Sequence, residues 1–264
     1  IVYKMNLRSI KKGKQMGDSI VIFFNKDAIN LEDLFLNENW CLSEVFDRVY
    51  SVTVGDVKLN WLIKTYDSQK YAKRESKALY NLKKVKGVPK ILAVGFSNSL
   101  NYIMLSEAPG QDLYEHVTSH GTMTEKEVKN IANQLLKIIR DIHNKHIIHK
   151  DIKPENIVYD SKTSSVVLID FEGKYTQDYR SPEQVNRKSP ISPKTDIWSV
   201  GITLYYLMIR DVQKKKKKEI LHKRISFPKS WSEDFKDFME CLIERNTILR
   251  YSAMEALDHT WFQN

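Results

Sequence analysis

His149-Lys150-Asp151-Ile152-Lys153-Pro154-Glu155-Asn156, followed fourteen residues after its Asn by Asp170-Phe171, is the stretch that decides how this chain is to be read. Asp151 is a carboxylate that can take the proton of an attacking hydroxyl. Lys153, two residues on, can neutralise charge on a moving phosphoryl group. Asn156 and Asp170 offer the hard oxygen donors that hold magnesium against phosphates. Acid–base group, cation and metal ligands in one short span point to phosphoryl transfer from a nucleotide. The apolar run Val166-Val167-Leu168-Ile169 predicts a short buried strand that ends at Asp170.

Upstream, Thr124 and Glu127 form a capping-box pattern, and Val128, Ile131, Leu135, Ile139 and Ile142 recur on one helical face. A helix from Thr124 to about Lys145 therefore delivers the chain into the loop. Further back, Arg48 to Val54 and Lys58 to Thr65 read as two strands joined by a turn at Gly55-Asp56, and Lys70 to Lys84 as a helix. Lys64 ends a strand, and Glu75 lies between Ala72 and Leu79 on the apolar face of the following helix. An inward carboxylate needs a partner, because burying it unpaired is costly. Lys64 and Glu75 can satisfy one another, although two unrelated surface charges would give the same local sequence.

The chain has 264 residues, 42% of them apolar, which is ample for a buried core. No apolar run approaches the roughly 18 residues of a membrane span, so no membrane association is expected. Cys41 and Cys241 are the only cysteines and give neither a disulfide framework nor metal-ligand spacing, which suits a reducing intracellular setting. The first residue is Ile, so targeting information upstream would be invisible. The formal charge of +9 favours acidic partners, nucleic acid among them, while a solvated basic surface is the commoner cause. Lys214 to Lys218 read as a self-repelling loop. His143, His146 and His149, spaced by three, could ligate zinc only if all faced one way, and the helix ends among them.

From Leu42 to Phe262 the chain resembles a eukaryotic-type serine/threonine protein kinase, and within that family the compact kinase-1 family of baculoviruses, which would make it a viral protein. The resemblance implies an α+β, two-lobed fold: an N-terminal extension over 1–41, a small antiparallel sheet with one helix over 42–105, and a hinge with a larger, mainly helical lobe over 106–264. It implies ATP and Mg2+ as cofactors. Lys64 takes the place of the phosphate-binding lysine and Glu75 that of its helix partner. Asp151 and Lys153 match the catalytic positions, Asn156 and Asp170 the metal ligands. Tyr102 to Leu113 resembles the hinge, so that the Ser106 carbonyl and the Ala108 amide would bind adenine, Leu105 would be the gatekeeper and Asp112 would reach the ribose. Val49, Leu62 and Val158 would sandwich the base. Ser181-Pro182-Glu183 resembles Ala-Pro-Glu, Asp196 to Gly201 the central helix of the larger lobe, and Arg250 is placed to pair with Glu183. Thr176 falls where the family threonine contacts the catalytic Asp and Lys.

The chain departs from the family in three places. The phosphate-covering strip Leu42-Ser43-Glu44-Val45-Phe46-Asp47-Arg48-Val49 lacks the glycines that let backbone amides approach phosphates, with Arg48 a candidate substitute. Glu172 stands after Asp170-Phe171 where the family has glycine. Only ten residues separate Glu172 from Glu183, and Lys150 replaces the arginine that would hold a phosphorylated loop. The reading is thus a protein kinase independent of loop phosphorylation, in the cytoplasm or nucleus of a host cell. Its partner would be a protein substrate, one associated with nucleic acid fitting the charge, and the extension is a surface for homodimerisation. The rivals are a pseudokinase scaffold with a degraded phosphate loop and a kinase of small molecules or nucleotides.

Overall fold

Between Trp40 and Ser106 short runs rich in Val, Ile, Tyr and Phe recur, and there the chain builds a sheet. A computed structural model describes residues 20–23, 40–54, 56–96, 101–186, 190–210 and 227–263. The strands are β1 (Ile20–Phe23), β2 (Trp40–Phe46), β3 (Val49–Val54), β4 (Val57–Tyr66), β5 (Ile91–Phe96) and β6 (Asn101–Ser106), in spatial order β1-β5-β6-β4-β3-β2 with every pairing antiparallel. Ile20–Phe23, read from sequence as part of an extension, pairs with β5 and forms one edge of this sheet. The rest of 1–39 and the lysine run at 214–218 lie outside the described residues, as does Gly55.

Among the described residues one helix, α1 (Gln69–Asn81), accompanies the sheet. Ser68 caps it through a hydrogen bond from the Lys70 amide, and Ala72, Glu75, Ser76 and Leu79 form its buried face. It stops three residues short of the expected Lys84, because Leu82 is drawn into the core and turns the chain. Ile63, Leu79, Leu82, Ile103 and Met104 are the largest fully buried apolar side chains of this unit. The unit comprises residues up to Lys84 and 89–108.

The second unit, 85–88 and 109–264, is larger and mainly helical. Its spine is α3 (Glu125–His143), preceded by α2 (Leu113–His120). The Thr124/Glu127 capping box is present, and eight residues of α3, Val128 to Ile142, are buried. Seven of them are large aliphatics worth about 1.5–3 kcal/mol each in gross burial, which is what holds a helix of this length. Helix α5 (Lys194–Ile209) is buried on all sides from Thr195 to Leu207, so its polar groups must be satisfied internally. Ser199 Oγ donates to the Tyr179 carbonyl at 2.9 Å and Thr195 Oγ1 to Glu183 at 3.2 Å. Short helices α4 (Pro182–Asn186), α6 (Glu233–Leu242) and α7 (Ala253–Leu257) complete the unit.

Three short strands, β7 (Gln111–Asp112), β8 (Ile157–Asp160) and β9 (Ser165–Leu168), form a second sheet in the order given. Gly110 permits the first pairing: its φ is +108°, and a Cβ there would stand 2.2 Å from the Tyr159 carbonyl oxygen. A sheet with one helix and a larger helical unit together make the α+β, two-lobed class expected from sequence. No described helix is long and apolar enough to cross a membrane.

Candidate active site

The catalytic-loop residues sit where α3 ends. The helix stops at His143 rather than near Lys145, and His146 takes a left-handed conformation, φ 57°, to turn the chain. The loop is then held from below by Asp196 of α5, which is fully buried. Its Oδ2 accepts from the His149 amide at 2.9 Å and from His143 Nε2 at 2.8 Å, and its Oδ1 accepts from the Lys150 amide at 2.7 Å. Lys150 has φ 76°, a conformation that costs a non-glycine residue about 1–2 kcal/mol. Two charge-assisted bonds from one carboxylate offset that strain.

His149 is a brace, not a reacting group. Its Nδ1 accepts from the Asp151 amide at 3.3 Å, so the ring proton belongs on Nε2, which donates to the Ile169 carbonyl at 2.9 Å. Its ring also packs edge-on against Phe171, centroids 4.8 Å apart. One imidazole thus ties the backbone beside Asp151 to the backbone before Asp170. The zinc alternative dissolves on this geometry, since His143 faces Asp196 while His149 faces Ile169.

Asp151 is buried and receives three groups. Thr176 N donates to its Oδ1 at 2.6 Å, Asn156 Nδ2 lies 3.2 Å from its Oδ2, and Lys153 Nζ lies 3.3 Å from the same oxygen. Lys153 also donates to Thr176 Oγ1 at 2.8 Å. Asn156 Nδ2 donates to the Asp151 carbonyl at 2.7 Å, which commits the amide nitrogen and leaves the amide oxygen as the atom that can face a cation. The Asn156 carbonyl in turn accepts from Ile169 N at 2.9 Å, so the two metal-ligand candidates are linked through one backbone bond. Asp170 has φ 66° and Gly173 φ 67°. The glycine missing at 172 is thus supplied one residue later. Glu172 is buried and forms an ion pair with Lys174.

Glu155 differs from its neighbours. Its Oε2 is buried with no hydrogen-bond partner, and burial, the largest influence, holds its carboxyl above the usual range against the pull of Lys153.

In the first unit the expected pair is formed: Lys64 Nζ lies 2.9 Å from Glu75 Oε2, and Glu75 is 1% exposed. Tyr66, which sequence reasoning did not single out, donates its hydroxyl to the same oxygen at 2.7 Å. Its signal was available, since residues 64 and 66 share a strand face. The register extends that face. Val49 lies opposite Lys64, Lys64 opposite Ile103, and Leu62 opposite Leu105, which places Val49, Leu62, Lys64 and Leu105 on one side of the sheet. At the end of β6, Ser106 is fixed by its amide on the Lys90 carbonyl and by its hydroxyl accepting from Lys90 N, both 2.9 Å. Glu107 is anchored by the Asn60 carbonyl and by Lys58, and Ala108 closes the unit, half-buried.

Asp112 and Val158 belong to the second unit, where they are cross-strand partners of β7 and β8. Asp112 has a role the sequence reading did not assign. Its Oδ1 accepts from the Glu115 amide at 2.8 Å and caps α2, which leaves its other oxygen for the ribose contact that the resemblance implies.

The glycine-free strip is a hairpin. Phe46 pairs with Val49, and Asp47-Arg48 make the turn, with Arg48 at φ 60° supplying the left-handed residue. Phe46 is 74% exposed. Arg48, considered from sequence as a phosphate contact, spends its guanidinium on Asp47 and Asp67. Glu183 and Arg250 form the expected buried pair at 2.7 and 3.0 Å.

Comparison with known proteins now adds to the geometry. The protein kinase domain model matches residues 48–262, and the chain belongs to that family. Among similar proteins, sperm motility kinase 3A of Mus musculus is 29% identical over 179 residues, 61% of this chain and 35% of the mouse protein. A probable myosin light chain kinase of Dictyostelium discoideum is 29% identical over 248 residues, 82% and 79% of the two chains. Serine/threonine-protein kinase ppk6 of Schizosaccharomyces pombe is 30% identical over 183 residues, 64% and 24%. The chain thus spans about a third of the length of the mouse relative.

Proposed function

We propose that this chain phosphorylates serine or threonine hydroxyls of proteins, using ATP and Mg2+. The observation that carries this reading is the triangle of Asp151, Lys153 and Thr176, closed by contacts of 2.6, 2.8 and 3.3 Å. Asp151 accepts the proton of the acceptor hydroxyl, and Lys153 stabilises charge on the transferred group. Thr176 fixes both in place. ATP supplies the phosphoryl group when bound. Lys64, oriented by Glu75 and Tyr66, is the cation for its phosphates, and Val49, Leu62, Leu105, Ser106, Ala108, Asp112 and Val158 are its other contacts. Asn156 and Asp170 are the metal ligands, and their donor set, one amide oxygen and one carboxylate, suits a hard cation.

Activity independent of loop phosphorylation has structural support. The Thr176 hydroxyl already accepts from Lys153, and Tyr179 is buried with its phenol pushed far above the usual range by burial and by nearby Glu155. The buried Tyr179 is not presented to another kinase, and the half-exposed Thr176 has its hydroxyl engaged. We propose further that the chain is a viral kinase akin to the kinase-1 proteins of baculoviruses, acting in a host cell, a reading supported by the short segment between Glu172 and Glu183.

Labelled ATP, Mg2+ and a basic acceptor protein test the proposal. Transfer is expected, and Asp151→Asn is expected to lower it at least about a thousandfold. Wild-type transfer no greater than that of the variant would show a pseudokinase. Phosphatase treatment beforehand should leave the rate unchanged, and a treated protein that fell silent would overturn the unswitched reading.

A further inference from the structure

Arg180, just past the turn that begins at Thr176, has a guanidinium that no described residue takes up. It stands between Tyr179 and Ser181, both buried, and is itself half-buried. Tyr179 packs against Trp198 and Ile202 of α5, whereas the extended backbone at Arg180, φ −68° and ψ 138°, sends the next side chain in another direction. The Arg180 Nε is enclosed with no hydrogen-bond partner, and no described residue forms an ion pair or ring contact with the group. Neither neighbouring acid serves it. Glu183 gives both carboxylate oxygens to Arg250 and one of them also to Thr195, and Asp178 does not pair with Arg180.

An arginine held in this way works against stability, because an enclosed donor has lost water and gained no partner. Native folds keep few such groups, and each calls for a reason outside the fold's own bonding. The segment is also braced. The Tyr179 carbonyl accepts from Ser199 Oγ at 2.9 Å, and the Ser181 amide donates to Gln184 Oε1 at 2.8 Å. A cation on a fixed backbone is pre-organised for a ligand, since less freedom is lost when one binds. Lys153, the cation nearest Thr176, is already committed to Asp151 and to the Thr176 hydroxyl.

We propose that Arg180 determines substrate choice by binding an anionic side chain, carboxylate or phosphate, within about three residues of the acceptor hydroxyl. The proposal rests on the protein-kinase reading and gives its acceptors a class, acidic segments. Thr176, whose amide holds Asp151 at 2.6 Å, is separated from Arg180 by the 3-10 turn Gln177–Tyr179. At about 2 Å per residue in such a turn and about 3.3 Å where extended, the two backbones lie within roughly 10 Å. An extended peptide spans that distance in about three residues. The guanidinium fork matches two oxygens of a carboxylate or phosphate with parallel hydrogen bonds. The formal charge of +9 draws acidic segments toward the chain.

The test is steady-state phosphorylation of a peptide set by the full chain with labelled ATP and Mg2+. The protein is treated with phosphatase beforehand, so that no phosphate on this chain competes for the guanidinium. A neutral parent peptide with a single serine is compared with versions carrying Asp or phosphoserine at each of the positions nearest that serine on either side. One of those positions should raise kcat/KM about tenfold over the parent, the worth of a charge-assisted contact, and the two arms tell which anion is taken. In Arg180→Gln that ratio should fall to about 2 or less, and Arg180→Lys, which keeps the charge without the fork, should stand between. Arg180→Glu should reverse the preference and favour Lys at the same position. Each ratio compares two substrates on one enzyme sample, so a partly folded variant lowers both rates alike. Equal rates for the parent and every anionic version overturn the proposal and leave the kinase reading intact, as does a preference that survives Arg180→Gln. Transfer to the basic acceptor protein but to no peptide overturns it too. No transfer to either would remove the kinase reading itself, and this proposal with it.

Discussion

Replacing Arg250 by Met should be among the most destabilising single changes in the second unit. Arg250 is fully buried and makes four hydrogen bonds: Nη1 and Nη2 to Glu183 at 2.7 and 3.0 Å, Nη1 to the Lys194 carbonyl at 2.9 Å, and Nε to the Glu244 carbonyl at 2.6 Å. Met fills much of the volume but leaves a buried carboxylate unpaired, which typically costs about 3–5 kcal/mol. At roughly 2–4 °C per kcal/mol for a domain of this size, the melting temperature should fall by about 6–20 °C. A pH series gives the sharper assay. Burial raises the Glu183 carboxyl, but hydrogen bonds and charge from Arg250 outweigh it and hold it below the ordinary value. A depressed folded value means stability that is present above the unfolded glutamate pKa and lost as pH falls through the folded one. In Arg250→Met burial, the largest influence, outweighs the hydrogen bonds that remain, the folded value moves above the unfolded one, and stability should instead be lost as pH rises through it. Adding Glu183→Gln to Arg250→Met should recover part of the loss by removing the stranded charge. A loss below about 1 kcal/mol, or a double variant no more stable than the single, would refute the reasoning.

Two further outcomes follow from the site. Tyr66→Phe removes a hydroxyl donor on Glu75 and should raise the KM for ATP on the order of tenfold, with kcat changed far less, because a hydrogen bond to a charged group is worth about 1.5 kcal/mol or more. Steady-state kinetics at varied ATP checks this. Asp196→Asn turns an amide nitrogen toward backbone donors, and should lower kcat at least about a hundredfold while lowering the melting temperature by several degrees. Kinetics and a thermal melt on the same sample measure both.

Legibility in the sequence followed the range of the interaction. The capping box of α3 and the Lys64–Glu75 pair were readable because each is fixed by one helix or by one strand and the next helix. Glu183 with Arg250, 67 residues apart, was placed by family resemblance alone, since no periodicity links such distant positions. Boundaries slipped where tertiary burial overrode propensity: Leu82 ended α1 early, and the turn at His146 ended α3. Arg48, left open in the sequence between a phosphate contact and solvent, pairs with Asp47 and Asp67, and Asp112 gained a helix-capping duty for which nothing in the motif argued. The compensating Gly173 was in plain view, one position beyond where the family motif directs attention.

The buried carboxylates show how the fold precedes the chemistry. Glu75, Asp196 and Glu183 are each enclosed with donors matched to both charge and geometry, a Lys and a Tyr, two backbone amides and a His, and a bidentate Arg with a Thr. Each of the three fixes a segment that the reaction needs. Asp151 is enclosed by similar donors, yet they come from within the loop and its neighbouring segment: Asn156, Lys153 and Thr176. A group held by partners distant in sequence is costly to move, whereas one held by partners from its own loop and the neighbouring segment, two of them half-exposed, can exchange them for a substrate hydroxyl at small cost. On that distinction, variants at Asp196 and Arg250 act on the whole second unit, while variants at Asp151 and Lys153 should leave its stability nearly unchanged and act on transfer alone.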